Sequence, residues 1–114
     1  MPFINTKVNI PIPQEKEAAI KEKLGKAIAL IPGKTEQWLM LNFSENCHLW
    51  FQGENDAPMA MVEVEIFGSA DGSDCSRLTA RICEILGEEL GIVPDRVYVN
   101  YTFSTAWGWN GGNF

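Results

Sequence analysis

The chain has 114 residues, and its 15 acidic side chains outnumber its nine lysines and arginines, which gives a formal net charge of −6. With 46% hydrophobic and 21% charged residues, the composition is that of one domain with its own apolar core, and it excludes a disordered or fibrous chain. No basic cluster is present, so nucleic acid is not an expected partner. No apolar run reaches the roughly 18 residues of a membrane span, and no basic stretch precedes an apolar segment near residue 1, so neither a membrane anchor nor a secretory signal is expected.

The first half of the chain predicts a strand, a helix and a second strand. Residues 3–10 are predicted to form a strand that ends at prolines, which cannot donate to a sheet ladder. In residues 14–31, apolar side chains recur at the spacing of an amphipathic helix, and Pro32 and Gly33 follow as stop signals. Residues 38–43 form a compact apolar run typical of a buried strand.

The middle of the chain, residues 44–58, is polar and mixed in composition, and it is interrupted by an aromatic pair, Trp50 and Phe51. This stretch is predicted to be a connection that holds one edge strand at most.

The second half of the chain repeats the first pattern. Residues 62–67 alternate apolar and acidic side chains, as in a strand, and residues 74–90 carry a helical stripe of leucine and isoleucine. Gly91 stands where a left-handed helix cap is expected. Residues 97–103 are rich in β-branched and aromatic side chains and predict a last strand, followed by a tail rich in glycine and aromatic residues.

Two strand–helix–strand units, residues 2–43 and 62–103, predict a single domain over residues 1–114. The expected fold class is α/β, in the form of an α+β two-layer sandwich with a four-stranded sheet and both helices on one face. The other face of the sheet is then uncovered, and another subunit is the simplest cover. Because Glu63 and Glu65 share one side of their strand, that side is either wet or built around paired charges.

The chain has three cysteines, Cys47, Cys75 and Cys83, and their spacing is not that of a metal site. His48 is the only histidine that could complete such a site, so a zinc site is not expected. Cys83 lies on the apolar side of its helix and is predicted to be a small buried side chain. Reduced thiols favour a cytoplasmic protein.

Pro2 has a chemical use if Met1 is removed, as is normal when a small residue follows. The chain would then begin with a secondary amine, and burial or a nearby cation lowers the pKa of such a group. A neutral amine at pH 7 is a general base. Taken alone, however, a proline at position 2 is most often only the start of a chain.

Both ends of the chain resemble the macrophage migration inhibitory factor family, and the doubled layout agrees with it. The C-terminal residues that carry the resemblance are Pro94, Asp95, Arg96, Val97, Tyr98, Val99, Asn100, Tyr101, Gly108, Trp109, Asn110 and Phe114. The N-terminal ones are Pro2, Phe3, Ile4, Asn5, Thr6 and Val8. Members of this family are homotrimers in which six helices surround three sheets, so the resemblance implies a homotrimer here.

The resemblance also implies a keto–enol tautomerase that acts on a small aromatic keto acid such as phenylpyruvate, with dopachrome esters as laboratory substrates and no cofactor. Pro2 is then the catalytic base. Lys34 matches the family's pocket lysine, which holds the substrate carboxylate and lowers the pKa of the proline amine. The plainer alternative for Lys34 is a solvated cation that suits the end of a helix dipole.

The remaining site residues implied by the resemblance each have a structural alternative. The backbone N–H of Phe67 would contact substrate, or Phe67 is an ordinary core residue. Tyr98 and Asn100 would enter the pocket of a neighbouring subunit, or they line a half-buried sheet face. The aromatic residues of the tail would form pocket walls, or they pack the trimer. These tail residues are Trp107, Trp109 and Phe114.

Two departures from the family matter. Trp107 and Phe67 are bulkier than the residues they replace, so the resemblance leaves open either a tighter pocket or a pocket that selects a different ring. The CxxC pair of some relatives is here Met59-Ala60-Met61-Val62, which excludes a thiol oxidoreductase activity.

A second functional class stays open on the same resemblance. Animal members act as cytokine-like proteins that bind a cell-surface receptor, usually the class II invariant chain, which would require secretion without a signal peptide. A trimer with no turnover is the third alternative.

Overall fold

Four strands form one mixed sheet in the computed structural model, which describes residues 1–114. They are β1 (Pro2–Val8), β2 (Met40–Ser44), β3 (Ala60–Phe67) and β4 (Val97–Ser104). Their order across the sheet is β2-β1-β3-β4, with β1 antiparallel to β3 and each outer strand parallel to its inner neighbour. The order is symmetric about the β1–β3 pair, as expected for two strand–helix–strand units joined through their first strands.

The two predicted helices are confirmed, with small changes at their ends. The first, α1 (Gln14–Ala27), tightens into a 3-10 turn over Ile28–Leu30 before Pro32 ends it. The second, α2 (Gly72–Leu90), begins two residues before its predicted start. Gly91 follows α2 with a φ of 68° and donates its N–H to the carbonyl of Gly87, which is the predicted left-handed cap.

The core lies between the helices and one face of the sheet. In β1 and β3 alternate residues are buried, because successive side chains of a strand point to opposite faces. These strand residues share one cluster with the apolar stripes of both helices, so both helices cover the same face, as predicted. Its fully buried members include Ile4, Val8, Ile20, Ile28, Val62, Val64, Ile66, Leu78, Ile82 and Ile85.

The opposite face of the sheet, here called the open face, carries a row of polar side chains. Asn42 donates to Asn5 at 2.8 Å, Asn5 donates to Glu63 at 3.4 Å, and the Lys7 ammonium lies 2.9 Å from the same carboxylate. The structure divides the two alternatives for this face: Glu63 is paired, whereas Glu65 is exposed and has no ion-pair partner.

Two of the predicted strands are wrong at one end: β1 ends at Val8 and not at residue 10, and β2 begins at Met40 and not at residue 38. Trp38 lies in a 3-10 turn (Glu36–Trp38) and not in β2, because β2 pairs only with β1, whose Phe3 stands opposite Met40, and earlier residues have no partner there. Residues 45–59 contain no strand, which agrees with a connection that holds one edge strand at most. A single bridge from Phe51 to Glu54 closes a tight turn in this connection.

The three cysteines are free thiols. Cys75 is buried, whereas Cys83, which was predicted to be buried, is only partly so, because it lies at the edge of the α2 stripe. In both residues desolvation raises the pKa of the thiol. Neither helix has the length and the apolar character that crossing a membrane demands.

The two-layer packing predicts which apolar side chains carry stability. Ile85 is fully buried in the core, so Ile85→Ala should lower the free energy of unfolding by about 2–5 kcal/mol. Val93 is 54% exposed, so the control Val93→Ala should change it by less than about 0.5 kcal/mol. Urea unfolding followed by circular dichroism measures both, and equal losses in the two variants would contradict the core described above.

Candidate active site

The site is built around the first residues of the chain. Pro2 opens β1 and pairs with Ile66 of the antiparallel strand β3. A proline fits this first strand position because it has no N–H to donate to the ladder. The side chain of Pro2 is buried, and its ring nitrogen forms the peptide bond with Met1. The antiparallel pairing therefore fixes the place where a chain lacking Met1 would present its amine.

Lys34 reaches this place from the loop after α1. Gly33 adopts a φ of 82°, a left-handed conformation that glycine tolerates best, and the Lys34 N–H then donates to the carbonyl of Ile31. The turn directs the Lys34 side chain across the sheet edge, where its Nζ donates to the backbone carbonyl of Phe67 at 3.0 Å. A helix stop signal in the sequence thus positions the cation of the site.

Phe67 contributes both of its backbone polar groups. Its carbonyl accepts the bond from Lys34, and its N–H donates to the carbonyl oxygen of Met1 at 3.0 Å. That oxygen belongs to the residue whose loss exposes the Pro2 nitrogen. A chain without Met1 therefore has one N–H donor freed beside its new amine.

The amine at the start of the chain lies in a perturbed environment. Burial lowers the pKa of the Met1 amino group below its ordinary value, and the neighbouring Lys34 ammonium lowers it further, because a second positive charge opposes protonation. The cation that was proposed from the family resemblance thus acts on the chain's amine in this structure.

Aromatic side chains form the walls. A cavity of about 480 Å³ is lined by Met1, Pro2, Trp38, Trp107 and Trp109 among others. A second cavity of about 230 Å³ is lined by Met1, Trp38, Phe67 and Phe114. Because Met1 and Trp38 line both cavities, the two cavities adjoin at these side chains.

The rings of these walls contact one another. Trp38 meets Trp109 edge to face with ring centroids 5.1 Å apart, and Phe67 lies 5.5 Å from Phe114. The edge-to-face geometry of the tryptophan pair is one that aromatic rings prefer, and the two phenylalanine rings are tilted by 40°.

A short hairpin presents the tail aromatics. Strands β5 (Gly108–Trp109) and β6 (Gly112–Asn113) pair antiparallel across Asn110 and Gly111, both of which have positive φ. Asn-Gly is the favoured pair for such a two-residue turn. The Phe114 N–H also donates to the carbonyl of Trp107, which holds the end of the chain against the cavity wall.

Tyr98 and Asn100 lie away from this cluster. Tyr98 stands opposite Met61 of β3, whereas Pro2 stands opposite Ile66, five residues further along the same strand. At the rise of a strand this separates them by about 17 Å. Both side chains are exposed on the open face, and within one chain neither of them lines the Pro2 cavity.

Tyr98 has other neighbours. Its ring lies edge to face with Phe51, 5.0 Å between centroids, and it lines a separate apolar cavity of about 230 Å³. This cavity is removed from the amine and from Lys34, so it is not part of the candidate active site.

Sequence reasoning missed several residues that line the cavity, Trp38 and Glu65 among them. Trp38 was placed in a buried strand because it begins an apolar run, and only the stop signal before it hinted at a turn. Glu65 was recognised as an open-face residue, but its place beside Pro2 follows from the pairing of Phe3 with Glu65, which a single sequence does not reveal. No group of three or more histidine, cysteine or acidic side chains is arranged to hold a metal ion.

A family model described as macrophage migration inhibitory factor matches residues 1–114 of the chain. The chain belongs to the macrophage migration inhibitory factor family. The match spans both ends of the sequence, so the resemblance seen in the N-terminal and C-terminal residues is confirmed.

Individual family members agree over their whole length. The mouse macrophage migration inhibitory factor is 31% identical over 116 aligned residues, which cover 100% of this chain and 99% of the mouse protein. A crystal structure of MIF2 from Leishmania major is 36% identical with a TM-score of 0.92, covering 100% of this chain and 97% of that one. A family homologue from Prochlorococcus marinus is 28% identical with a TM-score of 0.82, covering 98% of each chain.

The contact between Lys34 and the chain's amine can be tested without any assay of activity. Lys34→Ala removes a positive charge that opposes protonation of the amine, so the pKa of the amine should rise. The pH midpoint for acylation of the N-terminal amine, followed by peptide mass spectrometry, should then move to higher pH. Lys26→Ala removes a charge from an exposed part of α1 and should leave the midpoint in place. An unmoved midpoint in Lys34→Ala would contradict the described contact.

Proposed function

We propose that the protein is a keto–enol tautomerase of aromatic 2-oxo acids in which the Pro2 amine, freed by loss of Met1, is the general base. The nitrogen takes the proton from the carbon beside the keto group, and the electron pair left on that carbon moves into the enolate. The proton then returns to the enolate oxygen. In the reverse direction the same base carries the proton from oxygen back to carbon. The phenylpyruvate type of activity follows the family resemblance.

One observation carries the proposal: the Phe67 N–H donates to the carbonyl of Met1, directly beside the Pro2 nitrogen. An oxygen atom therefore already occupies the place where an oxygen of the substrate would sit once Met1 is gone. A substrate oxygen at that place keeps the donor paired, whereas an empty place leaves it without its partner. The base and the donor thus converge on one small region.

The protonation state of the base is supported by its surroundings. An ordinary α-amino group has a pKa near 8, and burial together with the Lys34 ammonium lowers the value at this end of the chain. Pro2 is itself buried, which acts in the same direction on an amine carried by its ring. A larger neutral fraction at pH 7 follows, and only the neutral amine accepts a proton.

The charge of Lys34 also suits an anionic substrate. The net charge of −6 repels an acid at long range, so attraction has to come from a local cation. Lys34 is the cation that hydrogen-bonds to Phe67 at the edge of the cavity, and an ammonium donates well to a carboxylate. The aromatic walls around Met1 favour a substrate with an aryl ring by stacking and edge contacts.

The assembly that we propose is a homotrimer. The open face of the sheet carries Tyr98 at 61% exposure and Met40 at 69%, which is apolar surface that a neighbouring subunit would cover. In such an assembly Tyr98 and Asn100 of one subunit would complete the cavity of the next, which accounts for their distance from Pro2 within one chain.

The role of the base predicts a large effect from a small change. Pro2→Gly keeps a small second residue, so Met1 is still lost, but it replaces the rigid secondary amine with a mobile primary one. We expect kcat/KM for phenylpyruvate to fall by about 100-fold or more. The enol-to-keto absorbance change measures this, with N-terminal mass analysis as the control for Met1 removal. A variant that keeps wild-type activity would exclude Pro2 as the base.

The trimeric site predicts complementation between two defective subunits. Pro2→Gly and Tyr98→Ala should each lose most activity alone. In trimers assembled from an equal mixture, some sites combine Pro2 from one subunit with Tyr98 from its neighbour, and random assembly makes about one quarter of the sites intact. Recovery towards that fraction supports a shared site. Activity equal to the mean of the two variants would place each complete site within one chain.

A further inference from the structure

Glu65 is a carboxylate in the Pro2 cavity without a partner. Two glutamates lie on the open face of β3. Glu63 accepts bonds from Lys7 and Asn5, at 2.9 and 3.4 Å. Glu65 takes part in no ion pair and no side-chain hydrogen bond, although it lines the same cavity as Pro2 and Trp107. Its charge is therefore available to whatever enters that cavity.

The position of Glu65 is defined relative to the cation of the site. Lys34 binds the carbonyl of Phe67, and Glu65 lies two residues before Phe67 on the same face of β3. Two strand residues span about 7 Å. A ligand that holds its carboxylate at Lys34 and lays its ring between the tryptophans thus extends towards the Glu65 side of the cavity.

We propose that Glu65 is a specificity-determining residue that selects the substituent on the substrate's aryl ring. This inference rests on the proposed function. A ring that carries a second anion is rejected, because two carboxylates held close together in a partly enclosed cavity repel each other strongly. A ring that carries a hydroxyl group is favoured, because its O–H donates to the carboxylate in a charge-assisted hydrogen bond. The substrate class is then an aryl 2-oxo acid with an uncharged, hydrogen-bond-donating ring.

The repulsion gives the sharper test because one isosteric substitution removes it. Glu65→Gln keeps the size of the side chain and removes its charge. The ratio of kcat/KM for (4-carboxyphenyl)pyruvate to kcat/KM for phenylpyruvate should rise about tenfold or more in this variant. The corresponding ratio for (4-hydroxyphenyl)pyruvate should fall by about fivefold, because an amide oxygen is a weaker acceptor than a carboxylate.

Glu84→Gln provides the matched control. It makes the same substitution and the same change of net charge on the exposed surface of α2, where Glu84 lies 3.5 Å from Arg81. Both ratios should stay within about twofold of wild type in this control. The mass of the assembly is measured for every variant. If Glu65→Gln changes the mass of the assembly and leaves both kcat/KM ratios at their wild-type values, the inference is overturned.

A binding arm separates this inference from the proposed function. 3-Phenylpropanoate and 3-(4-carboxyphenyl)propanoate cannot tautomerise, and quenching of tryptophan fluorescence measures their binding. If no variant turns over any keto acid but Glu65→Gln still binds the dicarboxylate relatively better, Glu65 selects the ring and the proposed function fails. If turnover is present and neither the turnover ratio nor the binding ratio responds to Glu65→Gln, the inference on Glu65 fails and the proposed function stands. Failure of the wild-type protein to bind 3-phenylpropanoate also overturns the inference.

Discussion

A chain of two hydrogen bonds through Phe67 holds the site together. Lys34 donates to the Phe67 carbonyl, and the Phe67 N–H donates to the carbonyl of Met1. These bonds join the loop after α1, the end of β3 and the start of β1, three segments that are far apart in sequence. They depend on the pairing of Pro2 with Ile66, since a slip of one residue would turn every side chain of β1 to the opposite face. The register of the central strand pair is thus the constraint on which the chemistry rests.

The surrounding elements serve this arrangement in different ways. The helices bury one face of the sheet and keep the strands rigid, while the residues around the amine come from loops and strand ends. The tail hairpin and the turn that contains Trp38 are far apart in the sequence, and both place large aromatic rings beside the start of β1. A rigid sheet thus fixes Pro2 and the Phe67 N–H, and aromatic residues outside the sheet close the space above them. This division is typical of sites that combine a stable scaffold with variable walls.

Much of the fold could be predicted from periodicity alone. The four strands and two helices are present near their expected positions, and the Gly91 cap is correct, because these features depend on local spacing and on residues that end elements. The family resemblance named Lys34 and the tail aromatics, and the structure places them around Pro2. The Asn110-Gly111 pair is a local signal for a two-residue hairpin turn, although no hairpin is predicted for the tail in the sequence analysis.

Other features depend on pairing between distant segments and could not be predicted from one sequence. Trp38 was assigned to a strand because its run is apolar, but β1 supplies no partner at that point. Glu65 lies close to Pro2 because of the register of β1 on β3, and a strand register cannot be read from a single sequence. Tyr98 and Asn100 illustrate a further limit, because the role proposed for them at a boundary between subunits has no counterpart in the contacts of one chain.

The most direct test of the account is a crystal structure of the protein lacking Met1, with a non-reacting aryl 2-oxo acid analogue bound. The account predicts the ligand carboxylate within hydrogen-bond distance of Lys34 Nζ, a ligand oxygen accepting from the Phe67 N–H, and the reacting carbon about 3–3.5 Å from the Pro2 nitrogen. A ligand bound elsewhere, or a Pro2 nitrogen directed into bulk solvent with the Phe67 N–H paired to another part of the chain, would contradict it.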